Sequence, residues 1–121
     1  MNKLLKITKA LSDKNRVRIL MLLDVKKELC LCQIIDMVSL SPPTVSKHVA
    51  VLIGAGLITK RKDGRWHYYS HRKKDVSPVV SSAIMWVRKS LAEDKSISDD
   101  EKKLKNVLKK DMEELCKRYK T

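Results

Sequence analysis

Residues 39–41, Ser-Leu-Ser, constrain this chain most tightly, because they separate two short segments that each repeat apolar residues at helical spacing. Before them, Leu31 to Val38 carries Ile34, Ile35 and Val38. After them, Ser41 is a good N-cap, and Pro42 suits the first helical position because its missing N–H costs nothing there. This second segment runs to about Ile53, with Val45, Val49 and Leu52 as its buried face, and Gly54 or Gly56 ends it. Two short helices joined through a three-residue turn match the outline of a helix-turn-helix.

The next stretch of chain extends that outline. Leu57 to Lys62 reads as a strand, Asp63-Gly64 as a two-residue hairpin turn, and Arg65 to Ser70 as the returning strand. A helix-turn-helix succeeded directly by a basic hairpin is the order of a winged helix. Trp66 and Tyr68 share one face of the returning strand, His67 and Tyr69 the other. One pair is expected on the core, which makes these aromatics structural rather than platforms for bases.

Upstream, Lys3 to Leu11 sets Leu4, Ile7, Ala10 and Leu11 on one helical face. Ser12 or Asp13 caps a second helix, Lys14 to Leu23, with Val17, Leu20 and Leu23 recurring at helical spacing. Downstream, Pro78 opens a helix carrying Val79, Val80, Ala83, Ile84, Trp86, Val87 and Leu91, apolar on too many faces for the surface of a monomer. Glu93 to Ser98 reads as a polar linker. One last helix, from about Asp99 to Tyr119, carries the stripe Leu104, Leu108, Met112, Leu115 and Tyr119. The expected fold is mainly α with a β-hairpin wing, a winged helix-turn-helix whose N- and C-terminal helices dimerise. Residues 1–92 form the winged unit, and 93–121 a C-terminal helix in the dimer interface.

At 121 residues the chain is one small domain, for which dimerisation is a natural supplement to a modest core. A formal net charge of +13 predicts attraction to polyanions, either nucleic acid or an anionic membrane surface. The densest basic run, Lys60 to Lys74, falls on the hairpin; the plainer reading of such charge is a soluble basic surface. No apolar run approaches the roughly 20 residues of a membrane helix. Lys3, Lys6 and Lys9 interrupt the N-terminal apolar stretch, so no secretory signal is expected and the address is cytoplasmic. There Cys30, Cys32 and Cys116 should be reduced thiols. No catalytic triad, phosphate loop, paired carboxylate or dinucleotide fingerprint is present, so neither an enzyme nor an organic cofactor is expected.

Several segments in order resemble the ArsR/SmtB family of repressors. They are residues 10–20 (Ala-Leu-Ser-Asp-Lys-Asn-Arg-Val-Arg-Ile-Leu), 28–32 (Glu-Leu-Cys-Leu-Cys), 41–48 (Ser-Pro-Pro-Thr-Val-Ser-Lys-His), 55–58 and 64–69. The 28–32 segment is similar to that family's metal-binding box, and to its arsenic-responsive branch. The resemblance implies a homodimer on double-stranded, palindromic operator DNA, repressing when ion-free and released when an ion binds. It covers about Leu4 to Leu91 and leaves residues 92–121 unmatched.

With Val45, Val49 and Leu52 turned inward, Ser41, Pro43, Thr44, Ser46, Lys47 and His48 are left for the major groove and its margins. Lys60, Arg61, Lys62 and Arg65 are the candidates for phosphate contacts from the wing. Cys30 and Cys32 form the close ligand pair, suited to As(III) as inducer, with Sb(III), Cd(II) and Pb(II) as alternatives. Nearness to a helix N-terminus should favour their thiolates. In a regular helix residues i and i+2 diverge by about 200°, so chelation requires the start of the third helix to be extended or to unwind. Some arsenic-responsive relatives carry a third cysteine three positions on, where Ile35 stands here. Cys116 replaces it only if the last helix folds back or a partner subunit brings it near; otherwise it is a free or packed thiol. The family's other site, on the helix before the tail, is not expected, since residues 77–91 hold no His, Asp or Glu. A dithiol that oxidises and releases DNA without any metal is the alternative function.

Overall fold

The computed structural model describes residues 1–72 and 77–119. The last two lysines of the basic run, Lys73 and Lys74, lie outside the described residues. The order is α1 (Asn2–Ala10), α2 (Lys14–Val25), β1 (Leu29–Cys30), α3 (Leu31–Val38), α4 (Pro42–Gly54), β2 (Ile58–Asp63), β3 (Trp66–His71), α5 (Pro78–Ser90), α6 (Lys95–Val107) and α7 (Met112–Tyr119). The expected mainly helical fold with a hairpin wing is present, with each wing strand set one residue later in the chain than expected.

Capping chemistry sets the boundaries. The Asp13 carboxylate accepts from the N–H groups of Asn15 and Arg16 and starts α2. Ser41 Oγ accepts from the Thr44 N–H at 3.4 Å and starts α4 with Pro42 at its first position. Between α3 and α4, Ser39 takes a left-handed backbone (φ 57°) and closes α3 through its N–H to Ile35 O. This is the sharp turn of the helix-turn-helix. In the wing, Asp63 pairs with Trp66, so the two loop residues are Gly64 and Arg65 rather than Asp63 and Gly64. Gly64 supplies the positive φ of 62° that a tight hairpin needs at its first loop position.

The sheet has a third strand that the sequence pattern did not announce. β1 pairs antiparallel with β3, giving the order β1-β3-β2, with Leu29 opposite Tyr69 and Cys30 opposite Tyr68. Two residues are too few for an alternation to show. Tyr69 is buried on the core side, whereas Trp66 and Tyr68 are half-buried and pack against the core's edge.

The C-terminal region corrects the sequence reading twice. Residues 95–98, read as linker, open α6, which Asp94 caps through Ser96 and Ile97 N–H. The single final helix is two, α6 and α7, separated at residues 108–111. They fold back over α2 and α3, burying Ile97, Leu104, Val107, Leu115 and Cys116 against the chain's own core. Three polar clamps fix them there. Arg18 grips Asp100 with two bonds of 2.9 and 3.0 Å. Asp36 accepts from Lys110 Nζ at 2.7 Å and from Tyr119 OH at 2.6 Å. Lys103 donates to Met37 O at 2.9 Å. Covered by α6 and α7 on one side and by α2 and α4 on the other, α3 is buried at every residue from Cys32 to Val38.

Candidate nucleic-acid interface and thiol centre

Helix α4 separates its faces as its sequence implies: Val45, Val49 and Leu52 are buried, while Pro43, Thr44, Ser46 and Lys47 stand on the outer side of its N-terminal end beside Ser41. The Ser41 and Thr44 hydroxyls lie 2.7 Å apart, so both serve the cap as well as facing outward. His48 is half-buried, with Nδ1 3.3 Å from Arg16 Nη1. It faces α2 more than solvent.

On the wing, all four candidate cations are exposed, but two are engaged within the chain. Arg61 makes a two-bond ion pair with Glu28, at 2.7 and 2.8 Å, and stacks 4.6 Å over the Tyr68 ring. Arg65 pairs with Glu113 of α7 and lies 5.5 Å over Trp66. Lys60 and Lys62 project from β2.

The thiols converge. Cys30 ends β1 and is the N-cap of α3 in extended conformation (φ −72°, ψ 151°). Cys32 sits in the first turn of α3, and α7 brings Cys116 over both. The three sulfurs lie within 4.8 Å of one another. The extension expected for chelation is thus present at Cys30 alone, and the helix need not unwind. Cys32 and Cys116 are joined as a disulfide across 84 residues of sequence, with Cα atoms 5.2 Å apart, which departs from the expected set of three reduced thiols. Cys30 remains a thiol, its Sγ 3.9 Å from Cys116 Sγ.

Burial outweighs the helix terminus at this centre. Cys30 and Cys32 are each 1% exposed and Cys116 6%. The Cys30 thiol pKa is raised by desolvation, although the N–H groups of Cys32, Gln33 and Leu31 oppose the shift. The expectation of a favoured thiolate is therefore reversed for Cys30. Its position is held by Gln33, which is buried and accepts the Cys30 N–H at 2.9 Å in a capping box. Cys30-x-x-Gln33 is box spacing, so this residue was readable from sequence. Glu28 and Glu113 were not, since their partners lie 33 and 48 positions away. Cys30, Leu31, Cys32, Arg65, Trp66 and His67 line a narrow cleft beside the thiol centre.

A groove-sized helix with an exposed polar N-terminal end, set beside a basic hairpin, defines a winged-helix DNA-binding regulator. The profile described as "Bacterial regulatory protein, arsR family" matches residues 13–60. A cadmium resistance transcriptional regulatory protein CadC homolog of Staphylococcus aureus is 36% identical over 83 residues, covering 69% of each chain. An arsenical resistance operon repressor of Staphylococcus aureus is 43% identical over 76 residues, 63% of this chain and 72% of its own. Among solved structures, HlyU from Vibrio cholerae N16961 superposes with a TM-score of 0.63 at 25% identity, over 76% of this chain and 95% of that one. The chain belongs to the ArsR family of transcriptional regulators and is not an enzyme. Among the described residues no helix is long and apolar enough to cross a membrane.

Proposed function

We propose that the chain is a homodimeric transcriptional repressor that leaves its operator when a thiophilic metalloid or metal ion binds Cys30, Cys32 and Cys116. The observation that carries this reading is the convergence of three buried sulfurs at the junction of α3, the wing and α7. The donor set fits a soft guest, because thiolate sulfur selects such ions over hard ones. Charge orders the candidates. Three thiols exchanging for the three hydroxyls of arsenous acid release three waters and leave no net charge in the buried site. Three thiols on Cd(II) or Pb(II) release three protons and leave one uncompensated negative charge, which burial penalises. As(III) is therefore the preferred inducer, with Sb(III) beside it and Cd(II) and Pb(II) behind. The names of the relatives, which concern arsenical and cadmium resistance, agree with this range.

Reading would fall to Ser41, Pro43, Thr44, Ser46 and Lys47 in the groove, with His48 at its margin and Lys60, Arg61, Lys62 and Arg65 on phosphates. Residues 1–92 carry the reader and the Cys30–Cys32 pair, while residues 93–121 add Cys116. Dimerisation is supported by apolar surface that this chain leaves uncovered on two helices: Leu4 and Leu5 of α1, and Val79, Met85 and Trp86 of α5, with Trp86 66% exposed.

A titration of operator binding against arsenite, antimonite, cadmium, lead and zinc, under reducing conditions, tests the reading. Arsenite should release the wild type, and Cys30→Ser, Cys32→Ser or Cys116→Ser should each bind DNA with near-normal affinity and fail to respond. Full responses from all three variants would remove the sensor. A second reading, a redox-sensing repressor, is favoured by the Cys32–Cys116 bond. It predicts release by peroxide in the absence of any ion, with loss of that response in Cys32→Ser and Cys116→Ser but not in Cys30→Ser.

A further inference from the structure

The wing is expected to grip phosphates, yet in this structure two of its arginines grip carboxylates. Arg65, at the hairpin loop, is held by Glu113. Arg61, on β2, is held by both oxygens of Glu28. Both acids are tied to the thiol centre by short stretches of chain. Glu28 lies two residues before Cys30, and Cys30, Tyr68 and Arg61 are direct neighbours across the three strands. Glu113 lies three residues before Cys116 on α7, a spacing that puts both on one helical face. The same helix that delivers the third sulfur therefore delivers the carboxylate that occupies Arg65.

A guanidinium binds carboxylate and phosphate through the same planar pair of donors, so the two compete for it. When Cys116 is joined to the α3 sulfur, α7 is pinned beside the wing and Glu113 is held at high local concentration against Arg65. When the sulfurs are apart, α7 is held only by its own packing and clamps, and Arg65 is more available to DNA.

We propose that Glu113 is a phosphate mimic on a brake: joining the sulfurs presents it to Arg65 and withdraws one phosphate contact per wing from DNA. The inference rests on the proposed function, that the chain binds DNA and is switched at its cysteines. It adds the element that carries the switch to the wing. Glu28 is the fixed part of the same device, since it is covalently close to Cys30 and stays beside Arg61 in either state. Because the contact withdrawn is to the backbone, the brake weakens binding to all sequences alike and leaves base discrimination to α4.

The test compares DNA affinity and its salt dependence for the reduced protein, the arsenite-loaded protein and the protein oxidised by peroxide, which takes two electrons and two protons from the Cys32 and Cys116 thiols, leaves as two waters and closes the disulfide. Each is measured on operator and on random duplex. Glu113→Gln should raise the affinity of both sulfur-joined forms by roughly 3–10-fold near 50 mM salt, with a much smaller change in the reduced form. The slope of log K against log salt should steepen by about two per dimer, one phosphate for each wing. Glu114→Gln, which removes the same charge from the neighbouring exposed position, should give a smaller gain, equal in all forms. In an Arg65→Ala background Glu113→Gln should give no specific gain. Equal effects of Glu113→Gln and Glu114→Gln, or a gain that survives without Arg65, would overturn the brake. Thiol alkylation confirms that the disulfide closes in each variant, so α7 is in place when the comparison is made. If arsenite leaves wild-type binding unchanged, the ion-sensing reading falls, while the oxidised arm still decides the brake.

Discussion

The winged helix and the α6–α7 pair are held by different forces. In the winged helix, Ile19, Leu20, Leu52 and Leu57 are wholly enclosed, and the caps of α2 and α4 are local. The α6–α7 pair brings fewer buried apolar residues, and attaches through charged groups that find partners far away in sequence: Asp100 on Arg18, and Lys110 and Tyr119 on Asp36. Apolar burial is non-directional, whereas a hydrogen-bonded ion pair weakens steeply as it lengthens or bends. The contrast assigns permanence to the winged helix and, once the Cys32–Cys116 bond is open, detachability to the part that carries Cys116. Once the Cys32–Cys116 bond is reduced, local release of the C-terminal pair is a low-energy opening of the native state rather than unfolding.

The largest expected effect sets the two regions side by side. Leu52→Ala should lower global stability by about 2–5 kcal/mol in chemical denaturation. In the reduced protein Leu115→Ala, at a position as deeply buried, should instead strip hydrogen-exchange protection from α6 and α7 and leave α2 and α4 protected. Cooperative loss of the whole fold by the second variant would break the contrast. A smaller effect comes from Asp36→Asn, which leaves Lys110 facing a neutral amide and should weaken α7 docking by about 1–3 kcal/mol. Unchanged protection of α7 in that variant would show that apolar packing alone holds the helix.

The smallest effect is a pH response. Burial works to raise the Asp36 carboxyl, but the hydrogen bonds from Lys110 and Tyr119, with the nearby charges of Lys110 and Arg118, leave it below the ordinary carboxylate value. A depressed folded pKa contributes stability above the unfolded value of about 3.9 and loses it as pH falls through the folded one. Protection of α7 should therefore be flat near neutrality and decline below about pH 4. Loss of α7 protection already at about pH 6, well above that window, would assign its docking to another group.

Much of the winged helix was legible because its signals are local. Asp13, Ser41 with Pro42, and Gly64 sit within a few residues of what they determine, and the α4 stripe of Val45, Val49 and Leu52 has one period. Strand β1 was not legible, since two residues carry no period. The docking of α6 and α7 was hidden for another reason: Arg18–Asp100 and Asp36–Lys110 join residues 82 and 74 apart, and charge pairing leaves no trace in spacing. One signal was present. Helix α3 has no exposed charged face, its polar residues being Gln33 and Asp36, and a helix apolar nearly all round implies cover on both sides. At the thiol centre the Cys30–Cys32 pair was legible, while the arrival of Cys116 depended on that same hidden docking.

The bond from Cys32 to Cys116 encloses most of the winged helix, since α4 and both wing strands lie within its 84-residue separation. Tethering a denatured chain at points so far apart costs it about 4–5 kcal/mol of conformational freedom by the chain-entropy argument. A repressor with its sulfurs joined is consequently also the form hardest for a protease to catch open.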